Sequence, residues 1–344
     1  MKKILVVVTA VLVSAVLLAA CGIRTTDTAD TDKISVVATI FAPFDFARQI
    51  AGDKAEVTML LPPGSESHSY EPTPQDIIAI QNCDVFIYAG GDSDAWVESI
   101  LDSMNTSNIR IVTLMDCVDV VEEEIVEGMQ DDEHDHENDD EHAEDEHSKE
   151  EHPEEEHDHE GEVEYDEHVW TSPKNAKLIV QKISDAIVAA DTSNAQTYQL
   201  NTTEYLGKLD KLDTKFQNIV EASVRREIIF GDRFPFRYLA DTYGLTYYAA
   251  FPGCSTETEA SAATVAFLID KVEEDQIPVV FHIELSNEKM CNTISESVKD
   301  NTGRDIKVLL LHACHNVSMS DFENGATYLS LMEGNVETLK EALQ

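Results

Sequence analysis

Ile34-Ser35-Val36-Val37-Ala38-Thr39-Ile40 is a short, β-branched apolar run, and it is the first of a series. Val57–Leu61, Val85–Tyr88 and Ile109–Leu114 have the same character, bounded by Gly, Pro, Asp or Asn, and read as strands. Between them Phe44–Ala51, Pro74–Asn82 and Ala95–Met104 read as helices. Strands alternating with helices predict βαβ units and a parallel sheet covered on both faces.

Further along, the plan repeats. Strands are predicted at Ile228–Phe230, Thr246–Phe251, Val279–Ile283 and Lys307–Leu311. Helices are predicted at Phe236–Tyr243, Thr256–Glu274 and Glu288–Lys299, with one C-terminal helix over Asp321–Leu343. In the second of these, Val265, Leu268, Ile269 and Val272 keep the register of one buried face. Between the halves, Asn194–Ser223 carries Leu206, Leu209, Phe216, Ile219 and Val220 at helical spacing without Pro. A helix of about 29 residues would be roughly 43 Å long, enough to run the height of two lobes. The alternative is two ordinary helices broken near Gly207. The expected fold is α/β: two lobes, each a mostly parallel sheet flanked by helices, joined by a long rigid helix. The expected bounds are 34–192 for the first lobe, 193–224 for the linking helix and 225–344 for the second lobe.

The first residues read as an address. Lys2 and Lys3 precede an apolar run from Ile4 to Leu18, and Leu18-Ala19-Ala20-Cys21 sets small residues directly before a cysteine. A plain secretory signal needs no cysteine there; a bacterial lipoprotein signal does, because the thiol takes the lipid. The run is short of the roughly 20 residues of a spanning helix. Residues 1–21 are therefore expected as a signal ending at a lipidated Cys21, with 22–33 as a flexible tether, and the protein is expected on the extracytoplasmic face of the cell membrane.

The chain of 344 residues carries a formal charge of −43, distributed unevenly. Residues 122–167 hold 26 acidic residues against one base, Lys149, and show no periodicity. Such a tract cannot bury enough surface to offset chain entropy, and it is expected as a disordered insertion. No basic stripe exists to neutralise phosphates, which excludes nucleic acid as a partner. The tract holds His134, His136, His142, His147, His152, His157 and His159 among its acids. Imidazole is a good ligand for Zn²⁺, Ni²⁺ and Cu²⁺, so the tract is expected to gather or sense metal, weakly and with little selectivity. A solvated acidic linker is the bland alternative.

Two other histidines are placed where an α/β fold builds a ligand site. His68 lies in a Pro- and Gly-rich loop, Leu61-Pro62-Pro63-Gly64-Ser65-Glu66-Ser67-His68-Ser69-Tyr70-Glu71-Pro72-Thr73-Pro74, between a strand and a helix. Strand-exit loops line the ligand crevice of open α/β sheets. His168 lies in Asp166-Glu167-His168-Val169-Trp170-Thr171-Ser172-Pro173, where a helix begins with Ser172 at the N-cap and Pro173 at N1. Either histidine alone would more often be a turn residue than a ligand.

The small residues before Cys21, the run around His68, the acidic His-rich insertion and the D-x-H-V-W run at His168 resemble the ZnuA-like family. These are zinc- and manganese-specific solute-binding proteins of ABC importers (cluster A-I), and the resemblance covers nearly the whole chain. It implies two α/β lobes fixed by a rigid helix, with one metal in the cleft between them. His68 and His168 match the family's two first-lobe ligands. In the second lobe, counting back from Tyr243-Gly244-Leu245 puts Arg233 on a ligand position, and arginine cannot coordinate a cation. Asp232 beside it is the substitute, unless it pairs with Arg233 or caps the next helix. His312, in Leu310-Leu311-His312-Ala313-Cys314-His315, falls on the family's last ligand, an aspartate, with His315 in reserve. Glu284 ends the preceding strand as a ligand or an outer partner, and His282 is expected in the core or outer layer.

The resulting expectation is His68, His168 and His312 on one ion, completed by Asp232, Glu284 or water. Three imidazoles and one oxygen suit tetrahedral Zn²⁺, whereas Mn²⁺ prefers more carboxylate. Cys254 and Cys314 both follow second-lobe strands, so a disulfide between them is a further expectation. The function implied is capture of Zn²⁺, or of Mn²⁺, for an ABC permease by a monomeric lipoprotein without catalysis. The rivals are a metal-sequestering adhesin or buffer and an exported zinc hydrolase; HExxH and GxSxG are both absent from the sequence.

Overall fold

The structure of the protein, a computed structural model, describes residues 33–129, 164–255 and 259–344. The signal, Cys21, nearly all of the tether and the seven histidines from His134 to His159 lie outside the described residues.

The first sheet holds β1 (Ile34–Ala38), β2 (Ala55–Met59), β3 (Val85–Tyr88) and β4 (Arg110–Thr113) in the order β2-β1-β3-β4. The second holds β5 (Glu227–Phe234), β6 (Thr246–Pro252), β7 (Val279–His282) and β8 (Lys307–Leu310) in the order β6-β5-β7-β8. Every strand pair is parallel. In both sheets the first strand lies between the second and the third, so strand order reverses there. The crevice outside the strand ends at such a point is where α/β sheets bind ligands.

The flanking helices of the first sheet are α1 (Phe41–Ala51), α2 (Pro74–Asn82), α3 (Ala95–Ser103) and α4 (Pro173–Ala190). Then α5 (Ala195–Glu221) runs for 27 residues, about 40 Å. It is unbroken at Gly207, which excludes the two-helix alternative. Tyr198, Thr202, Tyr205, Leu209, Leu212, Phe216 and Val220 form its buried stripe. One hydrophobic core joins that stripe to Val36 and Ile87 of the first sheet and to Phe230 and Phe281 of the second. The helix is thus the shared wall of both halves.

After α5 come α6 (Arg237–Tyr243), α7 (Ala262–Glu274), α8 (Lys289–Thr302), α9 (Met319–Glu323) and α10 (Tyr328–Ala342). Two expectations need correction. The helix expected from Thr256 begins at Ala262, where the Ser261 hydroxyl accepts the Thr264 N–H and caps it. The single C-terminal helix is two, because Gly325 takes φ +77° and Thr327 opens α10 with a capping box to Ser330.

The insertion is also corrected at its ends. Glu122 and Tyr165 form an antiparallel bridge, flanked by Glu123 N–H to Glu164 O (2.9 Å) and Asp166 N–H to Val121 O (3.0 Å). Glu124 accepts from the Tyr247 hydroxyl (3.0 Å) and pairs with Arg237 (3.0 Å), so this segment lies against the second sheet's elements. Its charge suggested solvation, but the Glu123 and Glu124 carboxylates accept from the Cys254 N–H and the Tyr247 hydroxyl.

The continuous core makes α5 a stability determinant. Leu209→Ala should cost about 2–5 kcal/mol by urea unfolding. Leu200→Ala, on the exposed face of the same helix, should stay within about 0.5 kcal/mol. Equal effects would contradict the shared-wall packing.

Candidate metal centre

His68, His168 and His315 offer ring nitrogens that all lie within 4.8 Å of one another. The ring centroids are 5.7 Å apart for His68 and His168, 5.3 Å for His68 and His315, and 4.6 Å for His168 and His315. The first two come from the loop after β2 and the turn before α4; the third comes from the loop after β8.

Each imidazole is oriented from behind. His68 Nδ1 lies 2.6 Å from Ser93 Oγ, and the Ser93 hydroxyl donates to Glu167 Oε1. Since the serine proton goes to the carboxylate, serine accepts from His68 Nδ1–H. That leaves the His68 Nε2 lone pair free. Asp166 Oδ1 accepts from both the backbone N–H (2.8 Å) and Nδ1 (3.0 Å) of His168. His315 Nδ1 faces Glu284 Oε1 at 3.6 Å. The Nε2 atoms of His168 and His315 are buried and have no hydrogen-bond partner among the described residues. A carboxylate behind each imidazole is the arrangement that fixes tautomer and orientation in zinc sites.

Electrostatics prepare two of the rings to bind a cation. Burial holds His68 well below the usual histidine range, helped by the charges of His315, His168 and Arg233. Burial, with His168, also lowers His315. Both are neutral at neutral pH, the form that ligates. For His168 burial is outweighed by Asp166, Glu167 and Glu123, and its affinity for protons is raised.

His312 is corrected: it is not the third member of this cluster. Its Nδ1 accepts the Cys314 N–H (3.0 Å), holding a turn in which Cys314 takes φ +62°. Its backbone N–H and C=O are both tied to the Asn335 side chain at 2.8 Å. His312 thus builds the turn that delivers His315. Glu284 stands behind the cluster instead of in it, accepting the N–H groups of Ala313 (2.7 Å) and His315 (2.9 Å). Asp232 is also turned away. It accepts the N–H groups of Arg233 (2.9 Å) and Ile283 (3.1 Å) where the register of β5 against β6 shifts between Phe230 and Arg233. Gly231 at this irregularity approaches Cys291 so closely that a Cβ would lie 2.8 Å from its Sγ. His282 binds the Ile283 carbonyl (3.0 Å), apart from the cluster.

The expected disulfide is absent, as Cys254 and Cys314 are both free. Cys314 is fully buried under His312, whereas Cys254 donates its N–H to Glu123 (3.2 Å). Cys254 also belongs to a second group of donors with Glu167 and His168, which shares His168 with the first. Ser172 occupies the N-cap of α4, but its hydroxyl meets Thr242 Oγ1 (2.8 Å) instead of the helix. Ser93 escaped the sequence reading altogether, since a serine in Asp92-Ser93-Asp94 carries no ligand signal.

Contacts between the halves hold the cluster together. Trp170 Nε1 donates to Ala313 O (2.7 Å), the Tyr328 hydroxyl donates to Trp170 O (2.7 Å), and the Tyr238 hydroxyl donates to Asp166 O (2.6 Å). Burial would raise the Glu284 carboxyl, but His312, His315 and the Ala313 N–H outweigh it and hold it at about 2, against an ordinary 4.5. A depressed folded pKa contributes stability above the unfolded value that is lost as pH falls through the folded one. The stability gap between wild type and Glu284→Gln should therefore shrink as pH falls from about 4.5 toward 2. A gap that widened on acidification would contradict this placement of the charge.

A family described as "Zinc-uptake complex component A periplasmic" matches residues 36–342. The high-affinity zinc uptake system protein ZnuA of Bacillus subtilis is 31% identical over 330 residues, covering 95% of this chain and 94% of that protein. Among solved structures, the metal-dependent lipoprotein YcdH of B. subtilis is 27% identical with a TM-score of 0.70, over 91% of this chain and 100% of that one. The Zn(II)-bound ZnuA-like domain of Streptococcus pneumoniae AdcA is 25% identical with a TM-score of 0.66, over 90% of this chain and 99% of that one. With the family match running through both sheets and the helix between them, the chain belongs to the ZnuA family of zinc-uptake solute-binding components.

Proposed function

We propose that the protein captures one Zn²⁺ outside the cytoplasm through Nε2 of His68, His168 and His315 and passes it to the permease of an ABC importer. The observation that carries this reading is the pair of buried Nε2 atoms on His168 and His315 without a hydrogen-bond partner among the described residues, beside a His68 whose Nδ1 is already occupied. An unsatisfied polar atom in a buried site is costly, and a cation shared by three such nitrogens removes the cost. Three imidazoles favour zinc over manganese, which prefers oxygen donors. The ion is cargo, and no bond of a substrate is made or broken. Membership of a transport-component family weighs against the hydrolase alternative.

Cys21 serves as the lipid attachment point on this reading, 22–33 as the tether, and the protein acts as a monomer. The His-rich tract supplies weaker, additional metal sites. On this reading the chain divides into lobes at 34–192 and 225–344, joined through 193–224, and the ion sits where the two meet.

Calorimetry with Zn²⁺ tests the ligand set. His68→Ala, His168→Ala and His315→Ala should each lose more than about 100-fold in affinity, beyond the 10- to 100-fold typical of outer partners. His312→Ala should fall within that smaller range and lower the melting temperature. A larger loss for His312→Ala than for His315→Ala would overturn the assignment. A variant lacking residues 130–163 should keep one tight site and lose only weak ones. Loss of the tight site would place the ion in the tract.

A further inference from the structure

The cavity that opens beside His68 and His315 is also lined by Glu66, Arg233, Leu285 and Asn316. Glu66 is two residues before His68 in the loop after β2, and Arg233 is in β5 of the other sheet. They form a bidentate pair, Nη2 to Oε2 at 3.0 Å and Nη1 to Oε1 at 3.3 Å. Arg233 Nη1 also donates to Ser255 O (3.1 Å), and Glu66 Oε1 accepts the His68 N–H (3.2 Å).

The backbone around Glu66 is fixed from the second sheet's side. Asn316 Nδ2 donates to Pro62 O (2.7 Å) and Ser65 O (2.9 Å), and Gly64 N–H donates to Val317 O (2.8 Å). The side chains differ in freedom: that of Arg233 is 13% exposed and that of Glu66 is 43% exposed. A turn of the Glu66 side chain needs no movement of the loop.

The chemistry of the pair is unusual for the rim of a cation site. A guanidinium is permanently charged and has no lone pair to give a metal. A carboxylate two residues from a candidate ligand can coordinate, but both oxygens of Glu66 are engaged by Arg233. Three imidazoles leave one position of a tetrahedral zinc open.

We propose that Glu66 and Arg233 form a clasp across the mouth of the site, in which the guanidinium and the bound ion compete for one carboxylate. On binding, Glu66 turns from Arg233 to the open position of the ion. On release, Arg233 takes it back. Arg233 thereby holds affinity below what the donors alone would give and speeds unloading. This rests on the three-histidine reading of the site.

The test uses the full chain with Zn²⁺ alone, titrated against a chelator of known affinity and released into excess chelator by stopped flow. Arg233→Gln, which retains a donor for Ser255 O, and Arg233→Met should each bind zinc about tenfold tighter and release it correspondingly more slowly, the lower end of outer-partner effects. Glu66→Gln should weaken binding by about 10- to 100-fold. In the Glu66→Gln background, Arg233→Gln should give a much smaller gain. Folded Arg233 variants with unchanged or weaker zinc binding, or effects that simply add, would show the pair to be a structural tie and overturn the clasp while leaving the histidine site standing. A wild-type protein that bound no zinc would remove the histidine site and the clasp together.

Discussion

Three imidazoles are buried against one another, with Ser93, Asp166 and Glu284 on their Nδ1 sides. Without a ligand, this costs free energy, since the Nε2 atoms of His168 and His315 are buried with no hydrogen-bond partner among the described residues. The structure tolerates it because carboxylates behind the rings, Asp166, Glu167 and Glu284, compensate a charge that is not the protein's own. Negative charge in an outer layer and neutral nitrogen in the inner layer is the order a divalent cation requires.

Holding that cluster requires both sheets to be fixed relative to each other. The buried stripe of α5 belongs to a single core with residues of both sheets. Trp170, Tyr328, Tyr238 and Asn316 add hydrogen bonds between the halves beside the site. Wide hinge motion would have to break these together with the apolar contacts. Small movements of side chains at the rim are the cheaper way to admit and release an ion. Glu66, the more exposed partner at that rim, is the group placed to make one.

The fold was largely legible in the sequence because its periodicities are clean. Strands such as Ile34–Ala38 are short and β-branched, and Pro74 and Pro173 sit at helix starts where they suit N1. Misses arose where local chemistry outweighed pattern: Gly325 splits what reads as one amphipathic helix, and Ser261 sets a start that the apolar run does not mark. The first-half histidines were legible from their loops. The third was not, because His312 and His315 differ only in which way the turn points them. That direction is set by the Asn335 clamp and the positive φ of Cys314, which depend on contacts 23 residues away. Asp232 and Glu284 carried the right charge for ligands, but backbone N–H groups claim their oxygens.

A crystal structure of the zinc-loaded protein with data collected at the zinc absorption edge tests the central claim most directly. One strong anomalous peak is expected at about 2.0–2.1 Å from Nε2 of His68, His168 and His315, with an oxygen as the fourth neighbour. A peak bound to His312, or one centred between Glu167, His168 and Cys254, would contradict it.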